Sequence, residues 1–253
     1  MKKQQTKIAI DIGNTSISFA DITTKRIVRI FSVDSSLKQK DIEKMICKLN
    51  NKYSDIDNVY ICSVVPKTLK VVKIAIKKIL NINAKVIGAD IKVPVKNKYY
   101  NKAQVGQDRL VCAYIAKELL GSPVVIIDFG TAITIDVVSK KGEYEGGLII
   151  PGIRLSAESL FNKAALLPNV EAIKTPKRLI GKNTEESILS GIFFGYGAMC
   201  SCLIRSISTQ IKASPKVVVT GGYTKLMKKY LKVKIDKIDN DLIFKGIRLL
   251  ISS

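Results

Sequence analysis

Residues 7–20 read KIAIDIGNTSISFA and residues 124–138 read VVIIDFGTAITIDVV, and the likeness of these two stretches decides the fold. Each is an apolar, β-branched run that meets Asp-x-Gly, then a small hydroxyl-bearing residue, then a second β-branched run. Such runs on either side of a short polar break are the pattern of a β-hairpin whose turn is the break. Asp11-Ile12-Gly13-Asn14-Thr15 and Asp128-Phe129-Gly130-Thr131-Ala132 align without a gap, 117 residues apart in a chain of 253. One Asp-x-Gly turn is ordinary hairpin punctuation. Two matched turns, each opening one half of the chain, indicate a duplication.

Outward from the first hairpin, residues 41–49 have helical spacing and residues 58–65 form a short buried strand ended by Pro66. Residues 70–80 form an amphipathic helix with its lysines outward, residues 85–87 another strand, and residues 108–120 a helix closed by Gly121. After the second hairpin come Gly146-Gly147, Pro151-Gly152, a helix from Leu155, a strand at 216–220 ending in Gly221-Gly222, and a helical tail. Strands alternating with helices predict an α/β fold. No Pro- or Ser-rich linker separates the halves, so two domains, 1–121 and 122–253, are expected to join tightly near 120–123.

Composition excludes several chemistries. The chain has no histidine and no tryptophan, which removes Ser-His-Asp and Cys-His catalysis and His-ligated metals, and leaves acid–base work to carboxylate, Lys, Tyr or Cys. The five cysteines form no C-x-x-C pair, a pattern suited to a reducing cytosol, and a cytoplasmic location is expected. The opening MKKQQTK is soon followed by Asp11, so no secretory leader is expected. The formal charge of +21 admits a polyanionic partner, or a lysine-rich solvated surface. Only seven of the 42 basic residues are Arg, the better tool for phosphates and base edges, so nucleic acid is not the expected partner. Ser187–Ile204 is uncharged and contains Gly191-x-x-x-Gly195. It reads either as a membrane span or, the expectation here, as a helix buried within the protein or between subunits.

In an Asp-x-Gly-Asn-Thr turn, glycine permits a sharp bend, backbone N–H groups and the Asn and Thr side chains form an anion cradle, and the Asp can hold Mg²⁺ beside a phosphate. Neither a P-loop nor a G-x-G-x-x-G fingerprint is present. Gly221-Gly222 offers a backbone platform for a nucleoside. Asp108 suits a general base at a helix start or, equally, a helix cap. Arg109 suits a bidentate carboxylate contact, or a surface ion pair.

The paired turns resemble those of the acetate and sugar kinase/actin-like ATPase superfamily. Within it the chain resembles the type III pantothenate kinases, through DIGNT at 11–15, SVVP at 63–66, GQDR at 106–109 and DFGTAITID at 128–136. The likeness continues through YEGGLIIPG at 144–152, LP at 167–168, GKNTEESI at 181–188 and VVVTGG at 217–222. The resemblance implies two duplicated ribonuclease H-like domains, each a mixed sheet with flanking helices, and phosphorylation of pantothenate by ATP as the first step towards coenzyme A. It assigns ATP binding to Asp11, Ile12, Gly13, Asn14, Thr15, Ser16, Ile17, Ser18 and Thr131, with Asp11 also on the Mg²⁺ of Mg-ATP. It makes Asp108 the catalytic base and places Tyr99, Gly106, Gln107, Asp108, Arg109 and Thr184 at the substrate. It gives Asp128 a monovalent cation, K⁺ or NH₄⁺, and the molecule a homodimer, Thr184 reaching the substrate across the interface. Thr184 also reads as a helix N-cap. Gln107 and Lys102 depart from the family's usual Ala and Pro, and Gln107 is expected to narrow the pocket or add a hydrogen bond.

Overall fold

The computed structural model describes residues 6–24, 26–53, 55–164, 168 and 172–252. The leading residues 1–5 and Leu167 of the Leu-Pro pair lie outside the described residues.

The first hairpin is β1 (Thr6–Ile12) and β2 (Ser16–Asp21), antiparallel, with Asp11 opposite Ser18 and Ile12 opposite Ile17. β3 (Val28–Asp34) extends it antiparallel on β2. α1 (Gln39–Lys52) then turns Ile42, Ile46 and Leu49 inward at helical spacing. β4 (Ile56–Ser63) returns parallel to β1, with Cys62 beside Asp11. α2 (Pro66–Leu80) begins on Pro66, which needs no N–H partner in a first helical turn. Pro66 therefore opens a helix; the preceding strand ends earlier, at Ser63, rather than at Pro66. β5 (Lys85–Val86) pairs parallel to β4, and α3 (Gln107–Leu120) ends at Gly121, whose φ of 78° is the left-handed conformation that glycine tolerates.

The second hairpin is β6 (Val124–Phe129) and β7 (Ala132–Val138), extended antiparallel by β8 (Tyr144–Pro151). Helices α4 (Ile153–Lys163) and α5 (Thr184–Gln210) follow, and β9 (Lys216–Thr220) returns parallel to β6. The short α6 (Thr224–Met227), β10 (Lys237–Ile238) parallel to β9, and α7 (Leu242–Leu250) complete the chain. Among the described residues the two sheets have the orders β3-β2-β1-β4-β5 and β8-β7-β6-β9-β10, with the same strand directions. The duplication read in two turns thus extends to two whole sheets of one topology.

The chain divides into two compact units: 1–95, 100–115 and 241–253 in the first, 96–99 and 116–240 in the second. This differs from a division into 1–121 and 122–253. The tail belongs with the first unit because α7 packs Phe244 and Ile247 among Ala9, Ala20, Tyr60 and Val111.

Strand alternation sorts the first sheet into two faces. Ile8, Ile10, Ile12, Ile17 and Phe19 meet the inward residues of α1 and α2. Each such burial contributes about 1.5–3 kcal/mol relative to exposure. On the other face Ala9 and Cys62 meet α3 and α7, and Asp11 shares that face by alternation. In the second unit one face of β6 and β7 is covered by α4 and α5, with Phe129, Ile133, Ile135, Ile192, Phe193 and Ile204 in its core. The uncharged segment therefore lies within a 27-residue helix. By length and composition α5 could cross a membrane, but half of its most apolar window is buried against its own unit. A helix needing an apolar surround on one side only is the packed element seen here.

Candidate active site

The first turn is braced by the strand beyond it. Gly13 N–H donates to the Ser16 carbonyl at 2.9 Å, which closes the turn. Ser35, just after β3, donates its N–H to the Thr15 carbonyl at 3.1 Å and its hydroxyl to the Asn14 carbonyl. With those carbonyls held, Asn14 and Thr15 present exposed side chains. Ser18 shares a 2.9 Å hydrogen bond with Ser32. Ile12 and Ile17 are fully buried in the core, so only their backbones can serve a ligand. A positive φ is not the reason for glycine here: Gly13 has none, and a Cβ would meet only the Ser16 carbonyl, at 3.5 Å. The bend comes from the turn's hydrogen bonds, and glycine keeps the outer side of the loop bare.

Its counterpart uses the same brace. Gly152, just after β8, donates its N–H to the Thr131 carbonyl at 3.0 Å, as Ser35 does to Thr15. Asp128 stands opposite Thr134 with Phe129 opposite Ile133, so this turn is one residue shorter than the first. Thr131 is therefore the structural equivalent of Thr15, a correction to the ungapped alignment, which set it beside Asn14. Gly221, at φ 97°, lies directly against Asp128: a Cβ there would collide with Asp128 Oδ1 and the Phe129 backbone. Gly221 thus seats the end of β9 on Asp128, while Gly222 remains open, with no atom within 4 Å of a Cβ.

In the first unit, Asp11 and Asp108 act on one buried group. Burial, with the negative charges of Asp11 and Asp108 added to it, pushes the Cys62 thiol well above its usual range. The strand register sets Cys62 beside Asp11, and the packing of α3 on the same sheet face delivers Asp108. Asp108 is the second residue of the 14-residue α3 and not its cap; its Oδ1 accepts the adjacent Arg109 N–H at 2.8 Å, which leaves a carboxylate at the positive end of the helix. Val64 joins the two motifs: its N–H donates to the Ile12 carbonyl at 3.1 Å, and its side chain lies 3.3 Å from where a Gly106 Cβ would stand. Arg109 is only 9% exposed, which overturns the surface ion-pair alternative. Gln107 packs its side chain onto Gly88, where a Cβ would collide with it. Gly88 lies in the turn after β5, so Gln107 ties the start of α3 to that turn.

Two candidate acceptor contacts, Tyr99 and Thr184, belong to the second unit. Tyr99 is half-buried, its ring on Gly146 and 6.0 Å from the ring of Tyr144. Tyr100, by contrast, is wholly exposed. Thr184 is the first residue of α5 but not its cap: Asn183 Oδ1 accepts the Glu186 N–H at 2.8 Å, and Glu186 in turn accepts the Lys182 N–H at 3.0 Å. The cap assignment moves one residue back and leaves Thr184 exposed. The braces Ser35 and Gly152 escaped the sequence reading, because each is recognisable only once the third strand of its sheet is placed.

Among the described residues no group of three or more Cys, Asp and Glu side chains could cage a metal ion. One or two carboxylates with oxygen donors fit a small hard cation that is otherwise held by phosphates and water, and Asp11 offers that.

A repeated unit of this topology, opened in each copy by a strand, Asp-x-Gly and a second strand, defines the actin-like ATPase and sugar-kinase class of folds. Residues 7–206 match the family described as type III pantothenate kinase. A protein named type III pantothenate kinase from Sulfurihydrogenibium sp. is 38% identical over 252 residues, spanning 96% of this chain and 98% of its own length. One of the same name from Persephonella marina is 40% identical, spanning 89% and 91%. The chain belongs to the type III pantothenate kinase family. The ethanolamine utilization protein EutJ from Carboxydothermus hydrogenoformans, 11% identical, superposes with a TM-score of 0.58 over 98% of this chain and 90% of its own, a likeness of fold alone.

Proposed function

We propose that the chain transfers the γ-phosphoryl group of ATP to the primary hydroxyl of pantothenate, the first step towards coenzyme A. The observation that carries this reading is the placement of Asp11 at the turn end of β1 beside Cys62, on the sheet face against which α3 packs with Asp108 in its first turn, in a chain of this family. The pantothenate hydroxyl oxygen attacks the γ-phosphorus, its proton passes to the Asp108 carboxylate, and the bond to the bridging oxygen breaks as ADP leaves. Phosphoryl transfer asks mainly for positioning and charge neutralisation, so a carboxylate base suffices and no imidazole is needed. The first turn, 11–18, holds the phosphates and Thr131 is a further ATP contact; the buried Arg109, with Gly106, receives the pantothenate carboxylate, and Tyr99, Gln107 and Thr184 are further acceptor contacts. Asp11 would hold Mg²⁺, which supplies charge neutralisation at the transferring phosphate, and Asp128 with the backbone around it would hold K⁺ or NH₄⁺.

The same reading makes the molecule a cytoplasmic homodimer with a lysine-rich solvated surface and no nucleic-acid partner. Ser187, Gly191, Gly195, Ala198 and Cys202 form an exposed stripe along α5. A Cβ at Gly191 or Gly195 would meet nothing within 4 Å, so the chain's own packing does not require glycine there. Close approach of a second α5 does. Pantothenate-dependent ADP release with Mg²⁺ and either K⁺ or NH₄⁺, and its loss when Na⁺ replaces them, is the expected result. Absence of phosphopantothenate under those conditions overturns the reading. A monomer in sedimentation overturns the dimer alone.

A further inference from the structure

Asp136 is a carboxylate in the middle of the second sheet, 1% exposed. Burying an ionisable group is costly unless its oxygens are satisfied, and both accept hydroxyls: Tyr144 OH at 2.6 Å on Oδ1 and Thr134 Oγ1 at 3.1 Å on Oδ2. Tyr144 is itself fully buried, so the bond to Asp136 fixes where its ring stands.

The other side of Tyr144 carries a short strap, residues 96–99. Tyr144 N–H donates to the Lys96 carbonyl and Lys98 N–H to the Tyr144 carbonyl, each at 2.9 Å, adding a piece of strand beside the start of β8. Lys96 reinforces it with a 2.5 Å ion pair to Glu143, although Lys96 is too exposed for that pair to contribute much. Tyr99 ends the strap. Its N–H donates to Asn97 Oδ1 at 2.9 Å, and its ring is tilted 39° to that of Tyr144. Below it lies Gly146, at φ 118°, where a Cβ would come within 2.8 Å of Tyr99 Cε2. The Tyr99 ring is therefore held between a bare backbone and a neighbour that a buried carboxylate anchors.

We propose that Asp136 and Tyr144 are positioning residues for the Tyr99 ring, and that through it they set the affinity for the acceptor without taking part in phosphoryl transfer. This rests on the reading of Tyr99 as an acceptor contact. A satisfied buried polar pair rigidifies what packs on it, and a small displacement of a binding group is felt mainly in the affinity that group supplies.

Tyr144→Phe keeps the buried ring and removes only the hydroxyl; Asp136→Asn keeps the shape and replaces one of the two acceptor oxygens by an amide donor. Each is expected to raise the pantothenate KM about tenfold while kcat and the ATP KM stay within about twofold. An unchanged pantothenate KM in Tyr144→Phe, or an equal fall of kcat with it, overturns the proposal. Tyr144→Phe carries the test alone where Asp136→Asn does not yield folded protein. A fluorine label on the Tyr99 ring gives a readout independent of substrate: its resonance is expected to shift or broaden in Tyr144→Phe, and an unmoved resonance refutes the positioning role. Tyr99→Ala separates the two ideas, because a wild-type pantothenate KM in that variant sinks the acceptor role of Tyr99 while the resonance still reports on positioning.

Discussion

The two turns share one frame and carry different loads. In each, the residue after the third strand clamps a threonine carbonyl with its backbone N–H, Ser35 on Thr15 and Gly152 on Thr131. The first turn is longer by one residue and shows exposed Asn14 and Thr15, and its aspartate lies beside a buried thiol that also senses Asp108. The second is shorter, and its aspartate is packed under the backbone of Gly221. A duplicated sheet thus reproduces the backbone that forms a turn, while the residues on the neighbouring parallel strand, Cys62 in one copy and Thr220 in the other, decide what the turn's aspartate faces.

The strongest way to break this contrast is Asp108→Asn. If the first turn's aspartate works beside a base, turnover falls by about 100-fold or more while ATP binding, measured by calorimetry, persists. Wild-type turnover in that variant would remove the chemical distinction between the two turns.

A pair of glycine substitutions sharpens the structural side. Gly221→Ala places a Cβ against Asp128 at a φ of 97°, and is expected to lower unfolding free energy by about 2 kcal/mol and, on the proposal that Asp128 holds K⁺, to weaken the K⁺ dependence of turnover. Gly13→Ala meets only one carbonyl at 3.5 Å, so stability changes by about 0.5 kcal/mol or less while the ATP KM rises. Denaturant titrations of both variants compare them directly, and equal losses of stability would erase the difference drawn here.

The clamps differ more subtly. Ser35→Ala keeps the backbone N–H and removes only the hydroxyl on Asn14, a loss of about 1 kcal/mol. Gly152→Ala drives a Cβ into the Thr131 and Gly130 carbonyls and is the more damaging of the two in the same titration.

The smallest effect appears only in alkali. Burial raises the Cys200 thiol to about 11 from an ordinary 9, and Cys62 moves in the same direction. The folded protein keeps these thiols neutral, whereas the unfolded chain ionises them from about pH 9. Their contribution to stability is complete below that pH and is lost as pH rises towards 11. Tm should fall over that window, and Cys200→Ala should flatten the slope.

Much of the frame was legible locally. The hairpins and the strand Lys216–Thr220 stand where β-branched alternation and glycine punctuation put them. β3 and β8 were not readable as strands, for different reasons. VRIFSVD in β3 is half-exposed throughout and lacks a buried apolar face. β8 contains Gly146-Gly147, which looks like a turn; Gly147 is glycine because a Cβ would strike the Ile135 backbone of the paired strand. Of the candidate residues, Asp108 and Arg109 were visible as a motif, but the burial of Arg109 and the packing of Gln107 on Gly88 were not.

By itself the sequence determined the two hairpins, the α/β alternation, the family and the absence of imidazole chemistry, because each depends on neighbouring residues or on composition. Only the tertiary structure decided that α7 joins the first unit, that Ser35 and Gly152 brace the turns, that the charges of Asp11 and Asp108 both bear on the buried Cys62, and that Tyr99 rests on Gly146 beside Tyr144. Those contacts close long stretches of chain through strand register and packing, and no local periodicity encodes a meeting between residues so far apart.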